Sequence, residues 1–440
     1  MSKAKNAQTA QLRRWKTIRN GMAALALLLA AAAVFRIWSA MKKADPATDV
    51  PLAAATMTVT PAPEQTVEPQ PAPIPTPEIT PAPTPEPTPE LRSCTIRCVG
   101  DLVIHAEVMQ GTPQENGVYD FSSLFELIAD SMGAADYTVA NIDGAIKGVG
   151  PYTGYPNFNT PAELIGNLQD AGVDMLTLAN NHALDFYFDG LKATMECCDK
   201  YGMAFVGAAR SQKEHDTPVI VDINGIQVGM LNYTQYLNGM DTLSDPAATI
   251  YGICTTNNSN YAQDVRKLRE NGADVVVAFL HWGKEYEHTP DNSQTLIARQ
   301  LTAAGVDVII GGHPHYLQEA GYIYADDAQG NRRKALCMFS LGNFLADSKY
   351  VSYDTGVIFE FGIQETPEGD FEIVSPKYVP TYIWREIRND GSYWFRIVPA
   401  AQYMNERPKG MSEYTWGLMK QGVQLAKNIM GKDVAQLIER

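Results

Sequence analysis

The chain has 440 residues, 45% of them hydrophobic, which suffices for one large or two ordinary packed domains. Its formal net charge is −15, yet residues 1–43 hold nine of the 35 basic residues and none of the 50 acidic ones, so the remainder carries −24. A body that acidic repels phosphate backbones, which excludes nucleic acid as a partner.

Residues 1–20 read as a basic cytoplasmic tail. The next segment, 21–41, is apolar apart from Arg36 and close to the ~20 residues that cross a hydrocarbon core, so it reads as a transmembrane signal anchor. Cleavage as a signal peptide is disfavoured because the best junction, before Met41, puts bulky Trp38 where a small residue is expected. Residues 42–92 form a proline-rich stalk with too little apolar surface to fold, expected to be disordered. Extended at ~3.1 Å per residue, its proline-rich part reaches about 140 Å, far enough to cross a wall layer. This order predicts a single-pass cell-membrane protein with its N-terminus in the cytoplasm and its folded domain outside.

From Ser93 short apolar runs alternate with amphipathic stretches, the pattern of a sheet covered by helices. Thr95 to Gly100 leads into Asp101, and Tyr137 to Ile142 leads into Asp143. Three later units echo one another: a helix ends in Ala171-Gly172, Asn271-Gly272 or Ala304-Gly305, and an apolar strand then delivers Asn181, His281 or His313. The glycines suit left-handed helix caps, and the ligand-type residues fall at carboxyl ends of strands, where sites of open α/β sheets form. Residues 217–235 read as a hairpin turning at Asn224-Gly225, residues 351–400 hold further strands, and residues 401–440 read as helical. The cysteines (Cys94, Cys98, Cys197, Cys198, Cys254, Cys337) lack zinc-site spacing and read as buried thiols.

Five of the seven histidines fall in three short segments: His182, His281 with His288, and His313 with His315. Imidazole nitrogens combined with carboxylate and amide oxygens, without thiolate, suit a divalent manganese, iron or zinc site of one or two ions. Such sites carry out phosphoryl or acyl hydrolysis. Trp282, Tyr286 and Phe344 read as packing, Asn343 as a turn residue, and His215 and His288 as surface or packing residues.

Gly100-Asp101, Asn141-Ile142-Asp143, Ala179-Asn180-Asn181-His182 with Asp185 and Gly190, His281-Trp282-Gly283 with Glu285-Tyr286, Gly312-His313-Pro314-His315 and Ser340-Leu341-Gly342-Asn343-Phe344 occur in that order. Over residues 94–350 the set resembles the CapA (PgsA-like) capsule and poly-gamma-glutamate synthesis proteins, whose domain is similar to a calcineurin-type metallophosphoesterase. The resemblance implies a four-layer α-β-β-α sandwich over residues 93–400. It implies metal ligands Asp101, Asn181, His281, His313 and His315, with Asp143 bridging, His182 polarising or protonating the substrate, and Asp185 orienting His182. The chain departs from the phosphoesterase pattern where Val103 stands in place of a histidine and where Asp143 replaces a glutamate. The function implied is capsule or poly-gamma-glutamate synthesis and export, with a membrane polymer-synthesis complex, the lipid bilayer and an anionic polymer or wall substrate as partners. A metal-dependent phosphoesterase or amide hydrolase is the alternative, and a wall protein with a vestigial cluster the third reading.

Overall fold

In a computed structural model, residues 91–347, 349–430 and 435–438 are described. The tail, the anchor and nearly all of the stalk lie outside them. Among the described residues no helix is long and apolar enough to cross a membrane.

The strands follow the alternation read from the sequence. β1 (Ser93–Leu102), β2 (Tyr137–Ile142), β3 (Met175–Thr177) and β4 (Ala204–Val206) pair in parallel, in that order. A hairpin of β5 (Val219–Ile223) and β6 (Ile226–Thr234), with Asn224 and Gly225 both at positive φ, opens a second sheet. β7 (Val275–His281) and β8 (Val308–Gly312) continue it in parallel, and β9 (Ala320–Asp326) and β10 (Arg332–Met338) close it in the order β9-β10-β8-β7-β6-β5. The chain then returns to the first sheet: β11 (Asn343–Leu345) pairs with β1, and β12 (Thr355–Glu365), β13 (Phe371–Ile387) and β14 (Tyr393–Pro399) add antiparallel strands on its other side. The fold is mixed α/β, as expected.

Residue alternation along the strands explains how the layers stack. In β7, Val275, Val277 and Phe279 join Ile96, Cys98, Val139, Phe359 and Phe361 of the first sheet in one shared core. The intervening Val276, Ala278 and Leu280 face helices α3 (Tyr261–Glu270) and α4 (Asn292–Ala304). On the far side of the first sheet, Val99, Ala140 and Leu176 pack with α1 (Glu163–Asp170) and α2 (Tyr187–Tyr201). Parallel strands buried on both faces in this way need continuous apolar runs, which is what these segments carry.

Gly172, Gly272 and Gly305 take φ of +97°, +95° and +103°, ending α1, α3 and α4 as left-handed caps. Among the described residues of the C-terminal part, α5 (Glu413–Met430) is the α-helix, and a short strand, Gln436–Leu437, pairs with β13, so the expectation of a wholly helical end is corrected. No disulfide forms among the described residues, and each cysteine there is a free thiol.

Candidate metal centre

A bulge at Gly100 in β1 shifts the register next to Asp101. A Cβ at Gly100 would collide with the carbonyl of Gly342, so the close strand crossing requires glycine. Asp101 is fully buried and held on both sides: Oδ1 accepts from Asn141 Nδ2 at 2.7 Å, and Oδ2 accepts from the His313 backbone N–H at 3.0 Å. Asn141 is fixed in turn by Thr177, whose hydroxyl donates to Asn141 Oδ1 at 2.7 Å.

The His313-Pro314-His315 turn places both histidines at positive φ, +91° and +56°. Such a backbone costs on the order of 1–3 kcal/mol per residue, and it points two imidazoles into one site. His315 Nδ1 lies 3.2 Å from Asp101 Oδ2 and 3.0 Å from Asn343 Oδ1. His281 Nε2 lies 2.8 Å from Asn181 Oδ1 and 3.1 Å from His313 Nδ1.

Asp143 sits between these groups, 1% exposed. Its Oδ1 is 3.7 Å from His281 Nε2 and its Oδ2 is 3.8 Å from His315 Nε2. Among the described residues neither oxygen has a hydrogen-bond partner. A buried carboxylate without partners is expensive, and a cation between the donor sets would satisfy it. Asp101, Asp143 and His315 already bring one donor atom each within 4.8 Å of one another, so the residues present fit a divalent ion.

The electrostatics follow from burial and crowding. Burial, and then the charge of His315, lowers His313 to about 3 despite Asp101. Burial and the neighbouring His313 and His315 hold His281 well below its ordinary value, leaving its lone pair available to a metal. Burial opposes charge on His315, but its hydrogen bond to Asp101 and the charges of Asp101, Asp143 and Glu285 raise it to about 9. Burial pushes Asp143 up to about 6 against the pull of His182 and His315.

His182 stands at the edge of this cluster. Its Nδ1 faces Asp185 at 2.9 Å, and Asp185 Oδ2 also accepts from Phe158 N–H at 2.8 Å. Burial is the largest influence and disfavours charge on His182, but the hydrogen bond to Asp185 together with the charges of Asp143 and Asp185 outweighs it, and the pKa is raised. The ring packs edge-on against Phe158, centroids 4.8 Å apart.

Two sequence expectations need correction. Asn343 is not a mere turn residue: it is fully buried, accepting from His315 and donating to the carbonyl of Tyr353 at 3.0 Å. Tyr286, expected to be packing, is 48% exposed, whereas Trp282 and Phe344 are fully buried. His288 is bound on both nitrogens, to the Leu317 carbonyl and to Ser352 Oγ, and His215 Nδ1 lies 3.9 Å from Cys254 Sγ. Val103, at the position of the missing histidine, is buried core, and nearby His105 receives the Asp347 N–H on its Nδ1. The supporting roles of Asn141, Thr177 and Asn180 were also missed; Asn180 donates to the Ile142 carbonyl and accepts from the His182 N–H, joining two site strands. The available signal was the amide residues beside two ligand segments, Asn141 two residues before Asp143 and Asn180 immediately before Asn181.

Residues 95–348 match the family model described as bacterial capsule synthesis protein PGA_cap. The capsule biosynthesis protein CapA of Bacillus anthracis is 24% identical over 330 residues, covering 69% of this chain and 76% of the relative. The PGA biosynthesis protein CapA of Bacillus subtilis is 25% identical over 279 residues, covering 62% and 69%. Among solved structures, the calcineurin-like phosphoesterase YfkN of Bacillus subtilis matches with a TM-score of 0.42 at 16% identity, covering 76% of this chain and 98% of that one. The NAD nucleotidase of Haemophilus influenzae matches with a TM-score of 0.41 at 12% identity, covering 80% of this chain and 58% of that one. Those two likenesses are too loose to assign chemistry. The family match takes in more than half of the chain, including every strand end that carries a site residue, and this protein belongs to the bacterial capsule synthesis PGA_cap family.

Proposed function

We propose that this chain is a membrane-attached, outward-facing component of capsule or poly-gamma-glutamate production, with one or two divalent ions held by Asp101, Asp143, Asn181, His281, His313 and His315. The observation that carries the metal reading is Asp143, buried with both carboxylate oxygens unpartnered and one oxygen directed to each histidine group. The all-nitrogen-and-oxygen donor set favours manganese, iron or zinc. The role in polymer production is supported by the family and by the printed names of its Bacillus relatives. The attachment is supported by the apolar segment 21–41 and its basic flank.

When bound, a divalent ion supplies a local positive charge that polarises a substrate oxygen and draws anionic groups to an otherwise acidic domain. The chain's own residues do the rest. Asn141 and the His313 N–H fix the Asp101 carboxylate, Asn343 fixes His315, and Asp185 holds His182 with its Nε2 free to give or take a proton.

Elemental analysis of the full-length protein, purified without chelator, tests this reading. Stoichiometric divalent metal is expected in the parent and its loss in the double variant His313→Ala, His315→Ala; metal in neither would sink it. Deletion in the native cell should also reduce surface polymer, and unchanged polymer would remove the biosynthetic role.

The His182 and Asp185 pair favours a second reading, a metal-dependent phosphoesterase or amide hydrolase acting on a wall or polymer substrate. An imidazole held by a carboxylate beside a metal site has little purpose in a pure binding module. His182→Ala is expected to keep metal and lose about 10²–10⁴-fold of any turnover, measured on phosphoester and glutamyl amide substrates. No turnover in the metal-loaded parent rejects this version.

A further inference from the structure

We propose that Cys254 and His215 form a second, thiolate-containing site that takes copper(I), in a cavity where the edges of the two sheets meet. The inference does not rest on the reading of the metal centre, and none of that centre's residues lines this cavity. The two residues are 39 positions apart, so no short motif joins them.

Cys254 is fixed through its backbone. Its N–H donates to the carbonyl of Gly207, just after edge strand β4 of the first sheet, at 3.1 Å. Its carbonyl accepts from the N–H of Thr234, the last residue of β6 in the second sheet, at 3.0 Å. His215 ends the short helix Gln212–His215, whose first turn is capped by the Ser211 hydroxyl. Both residues line one cavity of about 240 Å³. His215 Nδ1 lies 3.9 Å from Cys254 Sγ, and Nε2 has no hydrogen-bond partner among the described residues. Cys254 alone of the six thiols is only partly buried, which leaves an ion a way in.

The donor geometry selects the ion. With bonds of about 2.3 Å to sulfur and about 2.0–2.1 Å to nitrogen, an ion between these two atoms sees them at about 125°, wider than a tetrahedral zinc site asks for. Among the described residues no third histidine, cysteine or carboxylate brings a donor within 4.8 Å of both, whereas structural zinc closes its shell with four. Soft thiolate selects copper(I), and imidazole suits copper as well. The surroundings favour a cation. Of the carboxylates on the cavity, Glu214 and Asp216 are paired with Arg210 and Lys267 at 2.7 and 2.9 Å. Asp264 has no basic side chain in ion-pair contact among the described residues, and its Oδ2 accepts only from the Tyr233 hydroxyl at 2.8 Å. Burial, and then the charge of Asp264, raises the Cys254 thiol to about 12, so the metal-free sulfur stays protonated. Binding forms one bond from copper to Sγ and one to Nδ1 and sends the thiol proton to solvent, with no change of oxidation state.

The test is a copper(I) titration of the full-length protein in detergent, under argon with ascorbate, against a chromophoric copper(I) chelator. The parent is expected to take one copper(I) per chain, and X-ray absorption of that sample to show sulfur and imidazole nitrogen around it. The double variant His313→Ala, His315→Ala should bind copper(I) as the parent does, because the metal centre is not involved. Cys254→Ser should lose the ion, and His215→Ala should hold it more than about tenfold more weakly. Should Cys254→Ser fail to fold, the absorption spectrum of the parent and the His215→Ala shift decide the matter. No uptake by the parent, a shell without sulfur, or undiminished binding by Cys254→Ser or His215→Ala overturns the inference. Displacement of the copper by equimolar zinc overturns the choice of ion, and loss of copper(I) only in the His313→Ala, His315→Ala variant assigns it to the metal centre and overturns the second site.

Discussion

Asn343 holds His315 Nδ1 with its oxygen and the Tyr353 carbonyl with its nitrogen, leaving His315 Nε2 directed at Asp143. Partners of that kind typically change metal affinity by about 10–100-fold when removed. Asn343→Ala is expected to weaken metal binding by that amount in a chelator competition; unchanged affinity would reduce Asn343 to a turn residue. Asp143 makes an opposite prediction about stability. In metal-free protein its carboxylate is buried without a hydrogen-bond partner among the described residues, so Asp143→Asn should raise the unfolding free energy by about 1–3 kcal/mol in chelator-treated samples at neutral pH. The same change should abolish metal binding. A variant less stable than the metal-free parent would show that Asp143 is already satisfied without an ion.

At the level of elements, the repeated order of capped helix, apolar strand and ligand was legible because each part has a local cause. Glycine ends the helix, an apolar run buries the strand on both faces, and the polar residue follows at the strand's carboxyl end. Sheet membership was not legible. The unit ending at Asn181 joins the first sheet and the units ending at His281 and His313 join the second, although their local patterns are alike. Long-range pairing decides that, and no short window contains it. The role of Asn343 was hidden for the same reason: locally, asparagine after glycine favours a turn, and its burial is set only when β11 docks on β1. Gly311 in β8 gives a test of the strand packing. A Cβ there would meet the Phe339 carbonyl and the Trp282 indole nitrogen, which are hydrogen-bonded to each other at 2.9 Å. Gly311→Ala is expected to cost about 1–3 kcal/mol in urea unfolding, and a neutral result would mean that the strand crossing is looser than drawn.

For the whole molecule, the eight residues singled out in the sequence for metal binding or catalysis lie together at one edge of two sheets sharing a core. Asp101, Asp143 and Asn181 come from strand ends of the first sheet, and His281, His313 and His315 from the second. Ligand held only by the folded state adds stability by mass action, about 2.7 kcal/mol at a hundred times the dissociation constant. Manganese or zinc should therefore raise the thermal midpoint of the parent and leave that of Asp143→Asn unmoved. The split parentage of the donors has a mechanical side as well. An ion held by donors from both sheets would act as a pin at one end of the sandwich, so that stripping it would free that end while the opposite end stayed clasped by its apolar core. Amide exchange after chelation should then quicken first around residues 99–102 and 311–315 and fade with distance, making occupancy of the pin readable from backbone motion alone.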